Sequence, residues 1–199
     1  MLGMKQHEPR STLRAFLAEV AESAAYHEAG HVTAAVLQRL PLQAGGIHID
    51  LEGCGISYYC HRVPGDLRNS NEDHLEREKT IIALFAAWAA QRTFLPTFEE
   101  CDFWDSDKAT ADALLREMQS PAPEDADAAL WASAKRLVEL NRTIIDELAK
   151  SLLAKSITPM PESEVQMGWS SSKTRREKCM SCTEVVSFFK RFGIECLVA

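Results

Sequence analysis

Hydrophobic and polar residues recur with two different periods along the chain, and each change of period marks an element. Residues 11–40 are predicted to be helical, in one piece or in two with a joint near Ser23. Ser11 can cap the start of this helix, and Pro41 disfavours helical geometry at the residue before it. The first helix is therefore expected to end close to residue 40.

Strict alternation replaces the helical period after Pro41. Residues 47–51 alternate apolar and polar side chains, residues 56–60 do so again, and "EGCG" between them is typical of a turn. The pattern predicts a β-hairpin whose strands each bury one face. It does not decide which strand, 47–51 or 56–59, lies at an exposed edge.

The helical period then returns. It predicts helices over residues 70–94 and 106–118, with a loop at 97–104, and one long helix from near Glu124. The expected apolar stripe of the long helix consists of Leu137, Leu140, Ile144, Leu148 and Leu152. Together the elements indicate a mainly α protein of the α+β class, a helical bundle with one small β-hairpin.

The last part of the chain differs in composition. It is rich in serine from residue 168, then basic in "SSSKTRREK", and then apolar around "VVSFFKRF". The phenylalanines are most simply a short helix docked on the domain, and an interface with another subunit is the alternative. We expect three parts: a helical extension (1–22), the main domain (23–167), and a linker with a C-terminal apolar helix (168–199).

Composition and charge exclude some classes of function. The 199 residues are 46% hydrophobic and 26% charged, which is ordinary for a globular protein, and the net charge is −7. Nucleic acid is not expected as a partner, because no basic face is available to neutralise phosphates. The longest apolar run begins at Ile81 and is half of what a bilayer span needs. With no export signal, the six cysteines are expected to be reduced thiols in the cytoplasm.

The first helix carries the motif "HEAGH". His27 and His31 are four residues apart, so a helix places both on one face, where two imidazoles can bind one metal ion. A zinc hydrolase uses this spacing, and Glu28 is then the general base that takes a proton from water. Two surface histidines are the alternative, but the neighbouring residues are small and apolar, and unpartnered polar groups are costly there.

The motif supplies only two of the three protein ligands that a catalytic zinc site needs. Ala34 and Leu37 stand where the extended motif would have its glycine and third histidine. The third ligand must therefore lie further along the chain. The candidates are His48, His61, His74 and the acids of "FEECDFWDSDKAT".

The stretch "AYHEAGHVTAAVL" resembles the zinc helix of the FtsH-type peptidases, the proteolytic half of the membrane-bound AAA proteases. That family takes its third ligand from an Asp-x-x-x-Ala-Thr segment, which "DSDKAT" matches with Asp105 in the place of the aspartate. The resemblance implies that His27, His31 and Asp105 bind Zn²⁺ in a zincin-like peptidase domain. Asp102 and Asp107 are then expected to be solvated or capping residues.

The resemblance extends over about residues 23–165, with departures. "CDFW" replaces the usual Gly-Ala before the aspartate, and Gln91 and Arg92 replace an acidic pair on the preceding helix. No G-x-x-x-x-G-K-[ST] phosphate loop occurs, so the chain resembles a free-standing relative without its own ATPase. Such an enzyme is expected to cleave unfolded or flexible polypeptides, lying extended beside the hairpin, without ATP.

Two rival functions follow from the same residues. One is a zinc-containing binding or regulatory protein that does not cleave, and the other is a peptidase subunit that needs a separate ATPase partner. The sequence leaves open whether the chain forms a homo-oligomer or joins a separate ATPase, because the family's ring depends partly on the ATPase module. Cys179 and Cys182 form a C-x-x-C pair that could bind zinc or act in redox chemistry, with Cys196 as a third member.

Overall fold

The computed structural model of the protein describes residues 9–50, 53–61, 71–96, 104–118, 123–159 and 176–199. These ranges contain six helices and a four-stranded antiparallel sheet, so the prediction of a mainly helical α+β protein is confirmed. The helices are α1 (Pro9–Leu37), α2 (Asn71–Phe94), α3 (Trp104–Glu117), α4 (Pro123–Leu140), α5 (Arg142–Leu153) and α6 (Cys182–Lys190). The strands are β1 (Leu42–Asp50), β2 (Gly55–Tyr59), β3 (Thr158–Pro159) and β4 (Arg176–Met180).

Helix α1 is the central element, and it runs without a joint at Ser23. It packs against the helices α2 and α5 and against the strands β1 and β2. The helix ends at Leu37 because Arg39 adopts a left-handed conformation (φ 62°). The Leu40 amide then bonds back to the Ala35 carbonyl, a helix termination that precedes Pro41.

Gly30 sets the closeness of α1 and α2. A Cβ at this position would lie 2.6 Å from the Ala86 carbonyl oxygen and 2.7 Å from the Ala87 Cα. These are backbone atoms and cannot turn away, so only glycine permits this helix spacing. The glycine inside the motif therefore lets α2 pack closely against α1 beside the two histidines.

The Gly30→Ala variant tests this packing. Alanine in a helix is ordinarily about 1 kcal/mol more favourable than glycine. Here the overpacking is expected to reverse the sign and to destabilise by about 1–3 kcal/mol. A thermal melt should therefore show a lower Tm, by very roughly 2–4 °C per kcal/mol in a chain of this size. A raised Tm would show that the two helices are free to separate.

The sheet has the strand order β2-β1-β4-β3. The predicted hairpin is confirmed, with Ile47 opposite Ser57 and Ile49 opposite Gly55. The expected buried face of the second strand was wrong, because Ile56 and Tyr58 are only half-buried and Tyr59 is the buried residue. Strand β1 is internal because β4 pairs with its other side, so β2 is one of the two edge strands of the sheet in the described ranges, and β3 is the other. The question that alternation left open is thus answered in favour of residues 56–59.

The long helix predicted from Glu124 is two helices. Asn141 (φ −119°, ψ 23°) separates α4 from α5, and its side-chain amide donates to the Leu137 carbonyl at 2.8 Å. The predicted apolar stripe is right at Leu148 and Leu152, which are fully buried, but Leu140 is 73% exposed. The turn at Asn141 rotates the buried face, so one stripe does not run through both helices.

Residues 176–199 are part of the packed structure. The basic stretch that suggested a linker continues into β4, which lies between β1 and β3. The predicted C-terminal helix is α6, which packs on β1 and buries Phe188 and Phe189. Ser181 and Glu184 form a capping box at its start. Residues 168–175 lie outside the described ranges.

None of the helices in the described ranges is both long enough and apolar enough to cross a lipid bilayer.

Candidate metal centre

Helix α1 presents His27 and His31 on one face, as their spacing predicts. The ring centroids are 4.8 Å apart with the rings nearly perpendicular. The side chains are 12% and 8% exposed, so both imidazoles lie in a largely desolvated place at one end of a cleft. Desolvated imidazoles need a partner.

Asp107 of α3 is that partner. Its Oδ2 atom lies 2.9 Å from His27 Nε2 and 2.9 Å from His31 Nε2. One carboxylate oxygen thus contacts both rings, and the side chain is only 19% exposed. The expectation that Asp107 is a solvated or capping residue was wrong.

The backbone fixes which nitrogen of His31 faces Asp107. His31 Nδ1 lies 3.0 Å from the Ala83 carbonyl oxygen, which can only accept, so Nδ1 carries a proton. Burial lowers the pKa of His31, but the charge and hydrogen bond of Asp107 outweigh it and raise this pKa to about 9. Burial opposes ionisation of Asp107 as well, and the two histidines nonetheless hold its pKa well below the usual range. The arrangement therefore favours a positive charge between the rings and the carboxylate.

A zinc ion fits this arrangement. Four tetrahedral ligands at about 2.0–2.1 Å from zinc lie roughly 3.3 Å from one another, close to the 2.9 Å separations observed. Two nitrogens and one carboxylate oxygen are the donor set of a catalytic zinc site with one open position. A carbonyl that holds the far nitrogen of a ligating histidine, as Ala83 does for His31, is the usual support for such a ligand.

Glu28 lies beside the two histidines, pressed against β2. Its carboxylate and the histidine nitrogens lie within 4.8 Å of one another, and the residue is 4% exposed. Ser57 donates its hydroxyl to Glu28 Oε2 at 2.5 Å. A Cβ at Gly55 would lie 2.5 Å from Glu28 Cγ and 2.6 Å from Oε1. Gly55 therefore makes room for the carboxylate, and Ser57 orients it.

The cleft in front of these residues has a volume of about 620 Å³. Helix α1 forms one wall, and the whole of β2 forms another. Ser106, Asp107 and Thr110 line the side contributed by α3. Strand β2 is thus both a wall of the cleft and an edge strand of the sheet among the described residues, and an edge strand can pair with an extended chain.

Tyr59 is the last residue of β2. Its ring centroid lies 6.2 Å from that of His31. Burial first, and then the charges of Asp107 and Glu28, raise its pKa above the ordinary value. The phenol therefore stays neutral and keeps its proton in this acidic surrounding.

The other candidates for the third ligand lie elsewhere or are not described. His61 lines the cleft, but its Nδ1 contacts the Tyr59 carbonyl at 3.1 Å. His48 is in β1 and His74 in α2, and neither lines the cleft. Asp105 falls within α3, but its side chain, like all of residues 97–103, lies outside what the structure describes. The prediction for Asp105 therefore stays a prediction.

A helical pattern in the sequence could have pointed to Asp107. The spacing Asp-x-x-x-Ala occurs twice in "DSDKATA", once ending at Ala109 and once at Ala111. Ala109 is exposed, whereas Ala111 and Leu114 are fully buried. Asp107 precedes these two buried residues by four and seven positions, so it shares their face of α3. The match to the family's Ala-Thr pair selected the other register.

On α2, Gln91 and Arg92 stand where the FtsH-type peptidases have an acidic pair, and both side chains have contacts in the structure. Gln91 donates to the Ser23 hydroxyl at 2.6 Å, and both side chains line the cleft on the α1 side. Arg92 lies over the Trp88 ring, with its guanidinium carbon 4.3 Å from the centroid. These polar groups replace the acidic pair without bringing further negative charge toward the metal centre.

The chain matches no protein-family model and no curated protein sequence.

Proposed function

We propose that the protein is a zinc-dependent endopeptidase in which His27, His31 and Asp107 hold the metal and Glu28 is the general base. The observation that carries the proposal is the single Asp107 oxygen at 2.9 Å from both His27 Nε2 and His31 Nε2, with the Glu28 carboxylate next to them. The resemblance of the first helix to the FtsH-type zinc helix supports it. The zincin-like fold belongs to the same proposal.

Zinc, when bound, would lower the pKa of a water molecule to about 7 and stabilise negative charge on the peptide carbonyl oxygen. Glu28 takes a proton from the attacking water and later delivers it to the leaving amine. Ser57 donates to Oε2 of Glu28, so the basic lone pairs of that carboxylate keep a fixed direction. Desolvation of Glu28 by α1 and β2 strengthens its interaction with the water.

The substrate is an extended polypeptide that pairs with β2. A strand added at this edge would run along the cleft and past Glu28, because Gly55 and Ser57 both contact that side chain. Main-chain hydrogen bonds supply most of the affinity in such pairing and do not depend on side-chain identity. Only a segment without its own secondary structure can bind in this way, so unfolded or flexible polypeptides are the substrate class.

Metal removal tests the proposal. The purified protein is assayed for cleavage of casein, then stripped with a chelator, and then given back zinc. We expect cleavage to disappear on stripping and to return with zinc. Zinc binding without cleavage in any condition would instead indicate a binding or regulatory protein. Cleavage that appears only with an added ATPase and ATP would indicate a subunit of a larger machine.

The Gly55→Ala variant tests the position of Glu28. The added methyl would lie 2.5 Å from Glu28 Cγ, so the carboxylate must move away from its position near the histidines. We expect kcat to fall by about 10²-fold, as for other displacements of about 1 Å in an active site. Zinc content should not change, since no ligand is touched. Unchanged kcat would show that the carboxylate need not lie against β2.

A further inference from the structure

The face of the sheet opposite Ile47 and Ile49 carries a second group of metal-ligating side chains. His48 of β1 lies opposite Cys179 of β4, and the next facing pair, Asp50 with Glu177, is on the same side. Ile47 and Ile49 point the other way, into the apolar core. The antiparallel register of β1 and β4 thus brings an imidazole, a thiol and two carboxylates together.

Three of these groups converge. One ring nitrogen of His48, one carboxylate oxygen of Glu177 and the Cys179 sulfur all lie within 4.8 Å of one another. His48 Nδ1 is 2.9 Å from Glu177 Oε2. Glu177 is 2% exposed, and the His48 side chain is 12% exposed. The group is therefore largely out of water, and none of the three residues lines the cleft of the first centre.

The bonding of His48 repeats that of His31. His48 Nε2 lies 2.7 Å from the Gly45 carbonyl oxygen, so this nitrogen carries a proton. The other nitrogen, Nδ1, lies 2.9 Å from Glu177 Oε2, so either a proton or a metal ion must lie between these two atoms. Asp50, 3% exposed and opposite Glu177, adds a second buried carboxylate on the same face. The surroundings of Nδ1 therefore favour a cation.

We propose that His48, Glu177 and Cys179 form a second zinc site, which holds β4 against β1. The thiol identifies the metal class, because a site with sulfur, nitrogen and one carboxylate selects zinc over magnesium or calcium. Cys179 binds as the thiolate, so its proton is released to solvent as the metal enters. The site links residues distant in sequence and stabilises the packing of the C-terminal strand.

This site gives Cys179 a different partner from the one the C-x-x-C spacing suggested. Cys182 is buried in the apolar core cluster at the start of α6. Cys179 lies instead on the sheet face with His48. The chain changes from strand to helix at Ser181, between the two cysteines, so the two thiols lie in different surroundings.

Metal counting and cobalt spectroscopy test the second site. Elemental analysis of the zinc-saturated protein should give about two ions per chain, and about one in either Cys179→Ser or Asp107→Asn. With cobalt(II) in place of zinc, a sulfur-to-cobalt charge-transfer band is expected in the near ultraviolet, since thiolate is a soft ligand that binds such ions. Cys179→Ser should lose this band. Asp107→Asn should keep it, and so should the matched control Cys60→Ser.

Glu177→Gln keeps the shape of the side chain and gives a second test if Cys179→Ser does not fold. The cobalt affinity of this variant, measured by titrating the thiolate band, should fall by at least about tenfold. Removal of a group that merely supports a metal ligand already lowers metal affinity by that much. The proposal would be overturned if the protein bound one metal ion per chain and neither Cys179→Ser nor Glu177→Gln changed that binding. A protein without the thiolate band would overturn it as well, because a proton rather than a metal would then lie between His48 and Glu177. Neither result bears on the first centre, which Asp107→Asn tests separately.

Discussion

The Glu28→Gln variant is expected to lose casein cleavage by roughly 10²–10⁴-fold, the usual worth of a general base. The amide keeps the size of the side chain and can still contact Ser57, but it has no basic oxygen to take a proton from water. The zinc content should remain that of the parent, because the proposed ligands are His27, His31 and Asp107. The variant therefore separates metal binding from chemistry.

Glu19→Gln is the matched control, since it makes the same change at an exposed position of the same helix. It should cleave casein at the parental rate. Loss of zinc in Glu28→Gln would mean that Glu28 is itself a ligand, in keeping with its nearness to both histidines. Full cleavage by Glu28→Gln would remove Glu28 from the mechanism.

The Asp107→Asn variant is expected to lose zinc and cleavage together. The carboxylate supplies the negative charge between two imidazoles, and a neutral amide leaves the metal with two neutral nitrogens. Because loss of a supporting group already costs about 10–100-fold in metal affinity, loss of a ligand should cost at least that. Zinc titration with a competing chelator measures the change.

Asp105→Asn is the variant to compare with Asp107→Asn. The resemblance to FtsH-type peptidases implies Asp105 as the third metal ligand, whereas the contacts in the structure favour Asp107. Both variants change one aspartate of α3 to asparagine, two residues apart. We expect Asp105→Asn to keep zinc and cleavage. The opposite result, zinc lost from Asp105→Asn and kept by Asp107→Asn, would return the ligand to the register that the Ala-Thr match selected.

Much of the fold could be predicted because most elements bury one continuous face. The alternation of the hairpin and the helical period of α2 and α3 are visible in the sequence. Helix α1 is buried nearly all round from Ser23 to Val36, so its small apolar residues mark it as central. The position of β2 at an edge of the sheet was not predictable, because it depends on which strand pairs with the other side of β1.

Strand β4 could not be predicted because its residues look like those of an exposed linker. Lys178 faces the apolar side, but its ammonium group donates to the Leu153 carbonyl at the end of α5. Glu177 is buried against His48. Both side chains contact groups that are distant in sequence, and no local pattern contains that information.

The convergence of His27, Glu28 and His31 could be predicted because their spacing is local to one helix. The carboxylate that meets them comes from α3, and its register depends on how α3 rotates against α2. Ala111 and Leu114 set that rotation by burying their side of α3. A short family motif does not carry this packing information.

The most direct measurement is the position of the metal itself. Crystals of the zinc-loaded Glu28→Gln variant, measured on both sides of the zinc absorption edge, locate zinc by its anomalous scattering. We expect a peak about 2.0–2.2 Å from His27 Nε2, His31 Nε2 and an Asp107 oxygen. A second peak at His48 would not affect this test. The absence of a peak between the two histidines and Asp107, in crystals that contain zinc, would contradict the account.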